Sequence, residues 1–198
     1  MKKIVLASNS PRRRNLIAGL DLDYEIRLGP DIDESWPEGM PAHRIPEYIA
    51  TRKAEACRAG IGEDEVLLTA DTVVIIGSEV VGKPHDEADA RRMLHLLSGR
   101  THHVVTGVCL TTVDDRRCFS VTTDVTFKKL SDEEIDYYLD RYHPLDKAGA
   151  YGIQEWIGYV GVTSISGSYF NVMGLPVQRV YSELLDMEGG KRAPVPES

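Results

Sequence analysis

The sequence predicts a mixed α/β fold, a twisted sheet flanked by helices. Two observations carry this. Short apolar, β-branched runs alternate with helical stretches, which is the pattern of strand–helix–strand units. Tight turns at Gly77-Ser78 and Asp114-Asp115 also join neighbouring runs as hairpins, so the sheet is not purely parallel. The chain of 198 residues fits one domain with a proper core.

Ile4 to Ala7 reads as a short buried strand. Ser10 is a good N-cap, Pro11 suits the first helical position, and Gly19 can stop that helix. Tyr24 to Leu28 reads as a second strand, and GPDIDESWPEGMP as an exposed loop. A helix follows from about Pro46 to Ala59, with Gly60 as its stop. VLLTADTVVIIGSEVVGKP reads as a strand, a break at Asp71, more strand and a hairpin turn. Asp86 caps a helix to about Leu97, closed by Gly99. Strands near His103 to Thr111 and Cys118 to Phe127 flank Asp114-Asp115. Ser131 and Glu134 form a capping box for a helix to about Tyr142. HPLDKAGAYGIQ is a long loop. A strand near Tyr159 to Ile165 and a helix from about Pro176 to Met187 complete a domain over residues 1–187. Residues 188–198 have little to bury and read as a disordered tail.

Composition narrows the function classes. Apolar content of 42% and charged content of 27% are ordinary for a soluble globular protein. The net charge of −8 argues against a nucleic-acid binder but permits a local basic cluster around a small anion. Cys57, Cys109 and Cys118 are widely spaced, with no Cys-x-x-Cys pair, and read as buried thiols in a reducing compartment. The apolar run at the start is too short for a signal peptide, and no stretch is long enough to span a membrane. A cytoplasmic protein is the expectation.

Arg12, Arg13 and Arg14 stand at the positive end of the first helix, where each is disfavoured by roughly 0.3–1 kcal/mol. A bound phosphate would reverse that sign, because free N–H groups, serine hydroxyls and guanidinium groups all donate to it. The alternative is a solvated helix start. Asp71, inside an apolar run, is either a structural aspartate at a turn or a general base or metal ligand. Lys53 and Lys83 are candidate phosphate cations, and Pro84 stiffens the backbone that carries Lys83. Asp31, Asp33 and Glu34 offer oxygen ligands for a hard cation, or are simply solvated. His102 and His103 point to opposite faces of a strand and cannot chelate one metal together.

Seven segments, LASNSPRRRNL, TRKAEA, ADTVV, GKP, LSGRTHHVVTGV, DKAGAYGIQ and GSYFNVMGLP, resemble the Maf family of nucleoside triphosphate pyrophosphatases. They occur in the family's order and run from residue 6 to residue 176. The resemblance implies an inosine-triphosphatase-like fold with a cleft between two lobes. It also implies hydrolysis of a nucleoside triphosphate to monophosphate and pyrophosphate with a divalent cation, Mg2+ or Mn2+. By position, Asp71 matches the family's proton acceptor. Ser8, Arg12, Arg13, Lys53 and Lys83 match positions around the phosphates. Glu34 matches a loop acid that assists the metal or water, and Asp71 is its partner if a metal binds. Arg12, Thr72 and Gln154 resemble the set found in the branch acting on dTTP and UTP. A 7-methyl-GTP enzyme and a nucleotide-binding regulator of cell division are the alternatives. A homodimer is a family-level expectation, and Arg14 receives no role.

Overall fold

The computed structural model describes residues 1–189. Seven strands form one mixed sheet: β1 (Lys3–Leu6), β2 (Tyr24–Ile26), β3 (Glu65–Ile76), β4 (Glu79–Val81), β5 (Thr101–Thr111), β6 (Arg116–Phe127) and β7 (Val162–Ser166). The helices are α1 (Pro11–Ala18), α2 (Ile45–Cys57), α3 (Glu87–Leu97), α4 (Asp132–Tyr142), α5 (Trp156–Gly161), α6 (Tyr169–Val172) and α7 (Val177–Met187). The sheet order is β2-β1-β3-β5-β6-β7, with β4 paired to β3. β1 runs parallel to β2 and β3, and the remaining pairs are antiparallel.

The local signals work as chemistry requires. Ser10 accepts a hydrogen bond from the Arg13 amide and starts α1. Asp86 does the same for α3 through Asp89, and Ser131 with Glu134 closes a full capping box on α4. His102 is buried while His103 is exposed, as strand alternation dictates.

Three sequence expectations are corrected. β3 runs unbroken through Asp71, because its β5 edge stays paired with Asp71 opposite Gly107. Tyr159 lies in α5, and the strand starts only at Val162. Gly158 permits that helical turn, since a Cβ there would stand 1.8 Å from the Ile153 carbonyl oxygen. Cys109 and Cys118 are not free thiols. They face each other across β5 and β6 and are joined as a disulfide, leaving Cys57 free. A separation of nine residues becomes a direct cross-strand pair once the hairpin forms. The tail expected to be disordered lies outside the described residues from residue 190 onward; Glu188, at its start, pairs with the Met1 amino group at 3.5 Å. Among the described residues, no helix is long and apolar enough to cross a membrane.

The long strands β3, β5 and β6 carry the core. On one face, Ile4, Leu68, Ala70 and Val108 pack with α1 and α7. Further along the same face, Val74, Val104 and Phe127 pack with α3, α4 and α5. The opposite face is covered by α2, whose Ile45, Ile49, Ala50 and Ala54 are buried. Each such large apolar side chain contributes about 1.5–3 kcal/mol when buried.

One topological detail positions everything that follows. A single edge of β3 is shared by two short strands. β1 pairs with it from Glu65 to Leu68, and β4 from Val74 to Ile76. Between them, Thr69 to Val73 has no strand on that edge, and the sheet opens there.

Candidate active site

A cleft of about 550 Å³ lies at this opening. Ser8, Arg12, Arg13, Glu34, Lys53, Asp71, Thr72, Lys83 and Gln154, all matched to site positions by the resemblance, line it, as does Asp31; Asp33 does not. Arg14 is not among its lining residues.

Successive residues of a strand point to opposite faces. Asp71 therefore projects toward α2, and Thr72 toward α1 and α6. On the α2 side, Lys53 donates to the Asp71 Oδ1 at 2.9 Å and pairs with Glu34 Oε1 at 2.8 Å. One ammonium thus gathers two carboxylates. Burial pushes the Glu34 carboxyl up, but the Lys53 hydrogen bond and charge outweigh it and leave the pKa below the usual range.

Two contacts place Lys53. Gly107 sits opposite Asp71, and a Cβ there would lie 2.2 Å from the Glu47 amide nitrogen and from the Pro46 carbonyl carbon. Only glycine lets the start of α2 approach the sheet this closely. The buried Thr69 hydroxyl then donates to the Ala50 carbonyl at 2.7 Å. Lys53 is one turn further along and reaches Asp71.

The other side is a hydrogen-bond chain. Arg13 donates through Nε to the Gly174 carbonyl at 2.7 Å and through a terminal nitrogen to the Ala70 carbonyl at 2.9 Å. Its other terminal nitrogen donates to Thr72 Oγ1 at 3.1 Å. Ala70 has the same edge parity as Leu68, whose carbonyl binds β1 through the Ala7 amide. Arg13 therefore stands in for the missing strand. The Thr72 hydroxyl meets Thr106 Oγ1 at 2.9 Å, and Thr106 donates to the Asn171 carbonyl at 3.1 Å. With Arg13 as donor and the carbonyl as final acceptor, every proton in this chain has one direction. Burial pulls the Arg13 pKa below the ordinary arginine value, while the Asp71 charge opposes that shift.

The remaining residues close the cleft. Ser8 is buried, and its hydroxyl accepts from the Ser10 amide at 3.2 Å. Arg12 reaches Asp146 at 2.9 Å. The three arginines at the start of α1 are thus not alike: Arg12 meets a carboxylate and Arg13 meets carbonyl oxygens, which relieves the dipole penalty. Lys83 is exposed, in the turn after β4. Gln154 Oε1 is buried without a hydrogen-bond partner among the described residues.

The family model described as Maf-like protein matches residues 3–187. This chain belongs to the Maf-like family. A dTTP/UTP pyrophosphatase of Phocaeicola vulgatus is 61% identical over 182 residues, covering 92% of this chain and 94% of that protein. One of Parabacteroides distasonis is 59% identical over the same shares. The Ham1 protein of Staphylococcus aureus aligns with a TM-score of 0.55 at 17% identity, over 94% of this chain and 100% of that one. The HAM1 protein of Coxiella burnetii gives 0.53 at 16% identity over the same shares. These two likenesses concern the fold alone, and they agree with the inosine-triphosphatase-like architecture.

Within the Maf-like cleft, sequence reasoning missed the partners of its own residues. Asp146, Lys147, Thr106 and Asn171 all lie in segments that carried the resemblance, yet received no role. Their signal was polarity inside otherwise apolar or glycine-rich runs. Thr106 and Asn171 are fully buried, and Lys147 nearly so.

Proposed function

We propose that this chain hydrolyses dTTP and UTP to the monophosphate and pyrophosphate. One juxtaposition carries the reading: the cleft combines Arg12, Arg13, Lys53 and Lys83 with two carboxylates, Asp71 and Glu34, at the open edge of β3. A triphosphate needs the cations, and its hydrolysis needs an acceptor for the water proton. The relatives that bear this activity as their name support the choice of substrate.

In this reading water attacks the α-phosphorus, and the bond from that phosphorus to the bridging oxygen breaks. Asp71 accepts the water proton. Lys53 holds its Oδ1, so Oδ2 is the oxygen turned to this task. Lys83 and the N–H groups left on Arg12 and Arg13 receive the phosphates. Three of the five Arg13 donors are already engaged, so Arg13 contributes the fewest. Gln154 lines the cleft and carries an unpartnered acceptor beside an amide donor, a pair that fits the N–H and carbonyl edge of uracil or thymine.

A divalent cation, Mg2+ or Mn2+, belongs to the proposal. The donor set fits it: Asp71 and Glu34 are hard oxygen ligands on one ammonium, and such cations bind through one or two carboxylates plus phosphate oxygens. When bound, it would neutralise charge on the phosphate oxygens. A cytoplasmic setting is also part of the reading. It rests on the substrate class, since the disulfide removes the argument from free thiols.

The test is a panel of triphosphates with Mg2+ or Mn2+, read as pyrophosphate release. Turnover of dTTP and UTP is expected. Turnover of 7-methyl-GTP in their place would overturn the substrate, and orthophosphate as first product would overturn cleavage at the α-phosphorus.

A further inference from the structure

Lys147 is the most enclosed lysine of the cleft, with 9% of its side chain exposed. An enclosed ammonium is costly by several kcal/mol unless paired. Its Nζ lies 2.7 Å from Asp146 Oδ1 and 3.2 Å from Glu155 Oε1. Both carboxylates have a second partner. Asp146 Oδ2 accepts from Arg12 at 2.9 Å, and Glu155 Oε2 accepts from the Tyr138 hydroxyl. Two cations and two anions alternate along this line, so their charges cancel.

One end of the line is a residue assigned to base choice, and the other lies beside a second. Arg12 is one end. At the other, Tyr138 Oη accepts from the Gly152 amide at 3.0 Å. A Cβ on Gly152 would lie 2.9 Å from Glu155 Cδ and 3.0 Å from Gln154 Nε2. The Glu155 carboxyl and the Gln154 amide are therefore folded together over a position that only glycine leaves open. Burial pushes the Asp146 carboxyl up, but the hydrogen bonds from Lys147 and Arg12 prevail and hold it below its usual range.

We propose that Lys147 is a positioning residue for base selection: through Asp146 it sets Arg12, through Glu155 it sets Gln154, and it fixes the distance between them. This rests on the dTTP/UTP reading given under the proposed function, with Arg12, besides its phosphate contact, and Gln154 as the base-choice residues that the family resemblance implies. It differs from a role in phosphate binding. Two of the three Lys147 N–H groups face carboxylates, and its charge is already balanced. A phosphate contact would serve every triphosphate alike, whereas a spacer between two base-reading groups serves only the preferred ones.

The experiment compares kcat and KM for dTTP, UTP, CTP and GTP in the wild type, Lys147→Met, Lys147→Arg and Tyr138→Phe. Lys147→Met is expected to lower the wild-type preference ratio about tenfold, with the loss falling on KM. Lys147→Arg should restore part of it. Tyr138→Phe, which leaves every charge paired, should lower the ratio by a smaller factor. If Lys147→Met does not fold, as read by circular dichroism, Lys147→Met with Glu155→Gln removes one charge of each sign and replaces it. An equal rise in KM for all four triphosphates, or a wild-type ratio in both Tyr138→Phe and the folded Lys147 variant, would overturn the proposal. A wild type that prefers CTP or GTP would instead overturn the dTTP/UTP reading, and its own ratio would still judge Lys147.

Discussion

The two faces of β3 at its open edge are built from different materials. On the α2 face, Asp71, Lys53 and Glu34 are joined by ion pairs. On the other face, Arg13, Thr72, Thr106 and the Asn171 carbonyl form a directed hydrogen-bond chain. Ion pairs can be exchanged for water, phosphate or a metal at little geometric cost. A directed chain cannot lose one member without stranding its neighbours. Adjacent residues of one strand thus supply an adaptable wall for the proposed chemistry and a rigid wall for the proposed selectivity.

The sharpest way to break this contrast is on the ionic face. Asp71→Asn is expected to lower kcat by about 10²–10⁴-fold while nucleotide binding stays measurable by calorimetry. Wild-type turnover in that variant would end the catalytic assignment.

The next effect belongs to the rigid side and to acid. His102 lies in the sheet core, with Tyr151 Oη 2.7 Å from its Nε2, and burial, aided by the charge of His103, pushes its pKa down from 6.5 to about 4. Between those values the unfolded chain binds a proton that the folded chain does not. Stability is therefore expected to fall with pH from 6.5 to about 4, by up to roughly 3 kcal/mol. Denaturant titrations at several pH values check it, and His102→Gln should flatten the slope between pH 6.5 and about 5, above the range where the carboxylates held low in the fold add their own.

Gly107→Ala tests whether close approach of α2 sets the ionic face. The added methyl would meet the α2 backbone at 2.2 Å, so a loss of about 1–3 kcal/mol is expected, with kcat falling as Lys53 shifts. Unchanged stability and unchanged kcat would show that α2 is held otherwise.

Thr72→Val sharpens the comparison at the smaller end. It strands one Arg13 donor and removes the donor to Thr106, which keeps the Asn171 carbonyl, for an expected cost of about 1–3 kcal/mol in unfolding free energy. Thr72→Ser should restore the chain. An effect on kcat as large as that of Asp71→Asn would erase the distinction between the two faces.

What the sequence disclosed and what it concealed divide along a physical line. Caps are local, so Ser10, Asp86 and the Ser131–Glu134 box could be read directly. The family resemblance gathered Ser8, Arg12, Lys53 and Lys83 before any geometry existed, and they line one cleft. Pairings across the sheet were hidden. Cys109 and Cys118 looked separate because only the hairpin register brings them together. Asp71 looked like a break because an isolated carboxylate disfavours a strand, whereas Lys53 arrives from 18 residues away to meet it. Arg13 reads as a phosphate ligand by type, yet two of its donors serve the backbone carbonyls of Ala70 and Gly174 and a third serves Thr72. Tyr159 misled because aromatic and β-branched residues favour strands, and a glycine-assisted helical turn overrode that preference.

The open stretch of β3 also behaves as a phase setting. Its length fixes which face receives the acid and which the hydroxyl, because side chains alternate with a period of two. One residue inserted between Leu68 and Asp71 would exchange the two walls and carry Asp71 away from Lys53. Two residues would keep both walls in place and lengthen the opening by roughly 7 Å. Any redesign of this cleft for a longer substrate therefore has to proceed in even steps.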